Sequence, residues 1–83
     1  MDVTGNPELA LFKELFWKEL FTSLDELPEN QKQVYILNEL EDLTLQEIAL
    51  QTGENLKTII SRKGYAVKHL RSKLNYLYNE LEN

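Results

Sequence analysis

Two helix stop-and-start signals lie only nine residues apart, at Thr44 and Gly53, and they constrain this chain more than any other feature. Thr44 followed by Glu47 has the T-x-x-E spacing of a capping box. In that motif the threonine hydroxyl and the glutamate carboxylate satisfy backbone N–H groups that an opening helix leaves unpaired. Gly53 tolerates the positive φ that ends a helix, which costs other L-residues roughly 1–2 kcal/mol. Asn55 can cap the next helix two residues later. A helix of about 45–52 must therefore turn sharply into another that starts near 56. Ala49 stands where two such helices approach closest. Ile48 and Ile59 are the residues expected to plug the pair into a core. "TLQEIALQTGENLKTIISR" reads as a helix-turn-helix.

The rest of the chain divides at its prolines. Asn6 and Pro7, within "TGNP", suit an N-cap and first helical position. Leu9, Phe12, Phe16, Leu20 and Leu24 then form one stripe, which Leu11, Leu15, Trp17 and Phe21 widen. Trp17, Phe12, Phe16 and Phe21 are read as core rather than as a ligand box. Pro28 disfavours helix at Leu27. A second helix is expected over about 29–41, with Val34, Leu37 and Leu40 inward and Tyr35 or Ile36 flanking. Strand alternation, repeats and low-complexity runs do not emerge, so the fold class is all-α: four helices with short connections, the last long. The chain reads as one domain, an N-terminal helix over 1–26 packing on a helix-turn-helix unit over 27–83.

Charge is divided unevenly. The chain is −5 overall, yet residues 55–79 hold Lys57, Arg62, Lys63, Lys68, Arg71 and Lys73 and no acid. The remainder carries three lysines against all 14 acids. A local basic face, not net charge, is what a polyanion feels. At 100° per residue, Ile59, Ala66, Val67, Leu70, Leu74, Leu77 and Leu81 share one side of the last helix. Lys57, Thr58, Ser61, Tyr65, Lys68 and Ser72 share the opposite side, flanked by Arg62 and His69. Cations interleaved with small hydroxyls are the side chains that reach phosphates and base edges. The helix dipole adds attraction for phosphate at the N-terminal end.

Other chemistries lack their residues. The absence of cysteine removes disulfides and thiolate metal sites. His69, the sole histidine, reads as a rim or phosphate contact rather than a metal ligand. Glu41 and Asp42 are adjacent and do not face each other on a helix, so they read as a solvated helix end. Tyr65 can stack or contact DNA, or pack half-buried. No triad, phosphate-cradling glycine loop or metal spacing is present, so neither an enzyme nor a cofactor or small-molecule substrate is expected. No apolar run approaches the ~18 residues of a membrane span. The N-terminus lacks signal-peptide order, and a cytoplasmic protein is expected.

Residues 27–74 resemble region four of bacterial sigma factors, most closely the extracytoplasmic-function group. The resemblance rests on Leu27-Pro28-Glu29, Thr44, Glu47-Ile48-Ala49, Gly53, Thr58-Ile59, Ser61-Arg62, Ala66 and Leu70-Arg71. It implies a domain that binds the promoter −35 element and the flap of the RNA polymerase β subunit, with an anti-sigma factor as a further partner. The DNA-contacting set is Thr44, Asn55, Lys57, Thr58, Ser61, Arg62, Tyr65, Lys68 and His69.

Three positions depart from the pattern. Ile60 stands where a lysine is frequent. Lys63 falls on the apolar side and is expected to snorkel. Gly64 lies mid-helix at a cost of about 1 kcal/mol relative to Ala. A complete sigma factor of this group also has an N-terminal domain for the −10 element. Nothing here has its length or aromatic-basic character, so the chain is expected to be the C-terminal domain or a naturally short homologue.

Two other classes compete. One is the dimeric response-regulator type of helix-turn-helix, against which the "LPE" opening and "A-x-x-x-LR" ending speak. The other is a protein-interaction module that docks on polymerase or an anti-sigma factor without touching DNA. Outside the motif, Val67, Leu70, Leu74, Leu77 and Leu81 continue at 3-4-3-4 spacing, too briefly for a coiled coil. Either the first helix and this extension pack on each other, or they dock polymerase, an anti-sigma protein or a second copy.

Overall fold

Helix signals and helices coincide along most of the chain. In the computed structural model, which describes residues 5–82, α1 spans Pro7–Asp25 and α2 spans Glu29–Tyr35, continued by a π-helical turn over Ile36–Leu40. The next helix, α3, spans Leu45–Thr52, and α4 spans Leu56–Glu82. Thr4 and the side chain of Leu81, both named above, lie outside the described residues. The described elements are all helical, and the fold class is all-α.

Three of the four helix starts have a side-chain cap, while α2 opens at Pro28 without one. The Asn6 side chain accepts hydrogen bonds from the N–H groups of Glu8 and Leu9, both at 3.1 Å. At α3 the capping box is complete. The Glu47 N–H donates to Thr44 Oγ1 at 3.0 Å, and the Thr44 N–H donates to Glu47 Oε1 at 2.9 Å. Gly53 closes α3 in the left-handed region at φ 76°. Asn55 opens α4 by accepting from the Thr58 N–H at 2.8 Å.

Two apolar clusters hold the helices together, and α4 contributes to both. Near its start, Ile59 packs with Val34, Ile48 and Ala49, with Leu37, Leu43 and Leu45 around them. This is the helix-turn-helix core. Farther along, Ala66 and Leu70 pack with Leu20, Leu24 and Leu27, joined by Phe16, Tyr35 and Leu74. The N-terminal helix thus lies against the middle of α4. Each fully buried aliphatic, such as Leu24, Ile48 or Ile59, contributes roughly 1.5–3 kcal/mol. Lys32 reaches back to Asp25 at 2.7 Å and braces the α1–α2 corner.

Several expectations need correction. Leu40, expected inward, is 44% exposed. The π turn is the cause, because the Glu41 N–H bonds to the Ile36 carbonyl five residues back. An i→i+5 turn carries an extra residue and rotates Leu40 off the inner face. Asp42 then takes a positive φ of 60° to lead into α3.

Of the α1 aromatic set, only Phe16 packs against the core. Trp17 is 46% and Phe21 52% exposed, while Phe12 and Phe16 are half-buried. The four rings form a ladder of neighbouring pairs, ending with Trp17 stacked on Phe21 at 6.1 Å. A short repeat explains this, contrary to the expectation of none. Phe12-Lys13-Glu14-Leu15-Phe16 is echoed by Trp17-Lys18-Glu19-Leu20-Phe21. Five residues advance a helix by about 500°, so the second copy points about 140° away from the first.

Candidate nucleic-acid interface

The inner side of α4 is locked: Ile59, Ala66, Leu70 and Leu77 are all buried. That fixes which side chains its outer side presents. Lys57, Ser61, Tyr65, Lys68 and Ser72 are exposed there, and Thr58 is half-buried beside them. Tyr65 is 62% exposed, which decides against its packing into the domain. Thr58 to Tyr65 spans about 10 Å of helix, and Lys68 lies about 5 Å beyond.

Asn55 belongs to the same end of the helix. Its carbonyl oxygen is spent on the cap, while its amide N–H groups can donate outward. Thr44 stands exposed at the N-terminus of α3, the other helix of the pair. Arg62 is half-buried on the flank, with Nη2 3.6 Å from Glu54 Oε1. His69 is drawn elsewhere. Its Nε2 lies 3.0 Å from Glu26 Oε1, and Lys73 approaches the same oxygen at 3.8 Å. These contacts tie the middle of α4 to the α1–α2 corner.

Lys63 does not snorkel into water. Its side chain is 14% exposed, and its ammonium donates to Asn38 Oδ1 and to Glu39 Oε1, the latter at 2.8 Å. On the way it passes 5.6 Å from the centre of the Tyr35 ring. Burial, with Glu39 adding, holds the Tyr35 phenol above its ordinary 10.0, so the ring stays neutral under the cation.

The basic run is therefore divided by the fold. Arg62, Lys63 and Lys73 have carboxylate partners within the chain. Lys57, Lys68 and Arg71 form no ion pair among the described residues. Spacing along one helix could not show this division, because the partners come from the π turn after α2, from the corner at Glu26 and from the α3–α4 turn. Glu54 was not singled out by sequence reasoning; its signal was only that it is the last acid before the run. Among the described residues, no cluster of three or more His, Asp or Glu is placed to hold a metal ion. No described helix is long and apolar enough to cross a membrane.

A short capped helix, a left-handed glycine turn and a longer helix with a polar outer face define a helix-turn-helix of the DNA-binding kind. The chain belongs to the family described as sigma-70, region 4, which matches residues 17–70. It is also similar to the RNA polymerase sigma factor SigV of Bacillus subtilis (strain 168), at 46% identity over 68 residues. That match covers 80% of this chain and 41% of the relative, so the chain spans less than half of that protein's length. No solved structure matches. Family membership sets aside the response-regulator type of helix-turn-helix.

Proposed function

We propose that this chain is a promoter-recognition module for transcription initiation, which lays α4 in the major groove of the −35 element while docked on RNA polymerase. The observation that carries the reading is the two-sided character of α4. One side is anchored by Ile59, Ala66 and Leu70, and the other offers Lys57, Thr58, Ser61, Tyr65 and Lys68 to a partner. Membership of the sigma region 4 family supports promoter DNA as that partner.

In this docking, Thr58, Ser61, Arg62 and Tyr65 occupy the first three turns, where side chains reach base edges. Arg62 has the planar fork that pairs with guanine O6 and N7. Lys57 and Lys68 contact phosphates, and Thr44 and Asn55 position backbone at the two helix N-termini. His69, engaged with Glu26, serves the fold more directly than the DNA.

The polymerase side has a seat of suitable chemistry. An open cleft of about 370 Å³ runs between α1, α2 and α4, lined by Phe16, Tyr35, Val67, Leu70 and Leu74, with Glu39 and Arg71 beside them. We assign that cleft to the flap of the β subunit, because an apolar lining with charged edges accepts the apolar face of a partner helix.

The test is a titration of −35 duplexes at several salt concentrations, with the chain alone and tethered to the flap. Affinity should fall steeply with salt, and the tethered chain should bind more tightly. Three of the six cations are satisfied internally, and this favours a second reading, docking on protein without DNA. No salt-dependent binding in either format would select it.

A further inference from the structure

Arg62 and Glu54 form an ion pair that folding does not explain. The guanidinium Nη2 lies 3.6 Å from Glu54 Oε1, and the glutamate is well exposed. Exposed pairs of this kind contribute little to stability. Their position is the informative fact. Glu54 immediately precedes Asn55, the residue that caps α4, so its carboxylate stands at the end of the helix that enters the groove. An acid there faces a polyanion, and its repulsion weakens binding to every sequence alike.

We infer that Glu54 is a specificity-determining residue: it holds the Arg62 guanidinium for a base edge and keeps it from phosphates. The inference rests on the DNA reading above. A free arginine has four rotatable side-chain bonds and five N–H donors, and it bonds phosphate as readily as guanine. At 3.6 Å the carboxylate attracts the guanidinium without hydrogen-bonding it, which biases the side chain toward the start of α4 and leaves all five N–H donors for a base. Less rotamer freedom is then lost on binding a base. The same negative charge penalises an arginine that swings toward the backbone. General affinity falls while discrimination at one base pair rises.

The experiment uses the 83-residue chain at low salt. A randomised duplex library first yields the preferred duplex. Wild type, Glu54→Gln, Arg62→Ala and the double variant are then titrated against that duplex and its single-base-pair substitutions. Arg62→Ala should lower discrimination at one base pair by about 5- to 100-fold. Glu54→Gln should tighten binding to unrelated duplexes and lower discrimination several-fold at that same base pair. In the Arg62→Ala background, Glu54→Gln should leave discrimination unchanged.

Two outcomes overturn the inference alone. One is an equal gain from Glu54→Gln on all duplexes, with or without Arg62, which means bulk repulsion only. The other is a loss of preference at a different base pair that persists without Arg62, which means the carboxylate reads a base itself. A wild type that binds no duplex, either alone or tethered to the flap, overturns the DNA reading and this inference together.

Discussion

Lys63 crosses from the inner side of α4 to Glu39 in the π turn that continues α2, placing its ammonium 2.8 Å from the carboxylate. A charge on an apolar face ought to weaken the core, yet this one bolts two helices. Its ammonium lies 5.6 Å from the centre of the Tyr35 ring and meets both Asn38 and Glu39. The π turn at Ile36–Leu40 is what carries these two residues to that position.

Lys63→Met, which keeps the apolar stem, should destabilise the fold by about 1–2 kcal/mol, the low end of the roughly 1.5–3 kcal/mol of a charged hydrogen bond. Glu39 is well exposed, so the electrostatic part is modest. Urea melts of Lys63→Met, Glu39→Gln and the double variant form a cycle. A coupling of about 0.5–1 kcal/mol is expected. Additive effects would mean that the lysine acts only by packing.

Gly53 and Gly64 should respond to substitution with opposite signs. At either site an added Cβ meets nothing within 4 Å, so backbone conformation alone decides. Gly53 has φ 76°, and Gly53→Val should cost about 1–2 kcal/mol, while Gly53→Asn should cost less. Gly64 is exposed within α4, and Gly64→Ala should stabilise by roughly 0.5–1 kcal/mol. Thermal melts of the three variants check the signs. A destabilised Gly64→Ala would show that α4 needs a weak point there.

The capping box should give α3 a dependence on pH. The Thr44 backbone N–H, followed by its side chain, holds the Glu47 carboxyl below its ordinary 4.5. A carboxyl depressed in the folded state stabilises the fold above its unfolded pKa. That contribution is lost as pH falls through the lower folded value. Thr44→Ala should cost about 1 kcal/mol at pH 7. Glu47→Gln should be destabilising at neutral pH, with its deficit from wild type shrinking as the solution passes below 4.5. Denaturant midpoints from pH 7 to pH 3 measure both. A deficit that persists unchanged at pH 3 would mean that Glu47 contributes through contacts other than its charge.

What the sequence made legible was whatever a short span determines. Thr44 with Glu47, Gly53, Asn55 and Asn6 act within four residues, so their spacing declares them. Ile59, Ala66 and Leu70 declare themselves by period, because one helix face needs one core. The π turn has no comparable marker. It replaces i→i+4 bonds by i→i+5 bonds without a proline or glycine, and Leu40 was misplaced for that reason. Long-range pairs were equally hidden. Lys63 with Glu39 and His69 with Glu26 join residues more than 20 positions apart, and Arg62 with Glu54 spans a turn. Seven of the nine candidate contacts follow from helix angle on α4, which cannot show that His69 and Arg62 already have carboxylate partners.

The cations of α4 should therefore separate by pairing rather than by position in the run. Lys57 and Lys68 are exposed and unpaired among the described residues, so each can displace counterions from DNA. Lys57→Ala and Lys68→Ala should each weaken all duplexes alike and flatten the log–log salt slope by about one. Lys63 is committed to Glu39 on the inner side, and Lys63→Met should leave the slope unchanged. Arg62→Ala should cost about 1–3 kcal/mol on the preferred duplex and relax one base pair. Titrations at four or more salt concentrations give slope and preference from the same data. If Lys63→Met flattens the slope as much as Lys68→Ala does, the basic run acts as an undivided field. The assignment of the outer side of α4 to DNA would then lose its basis.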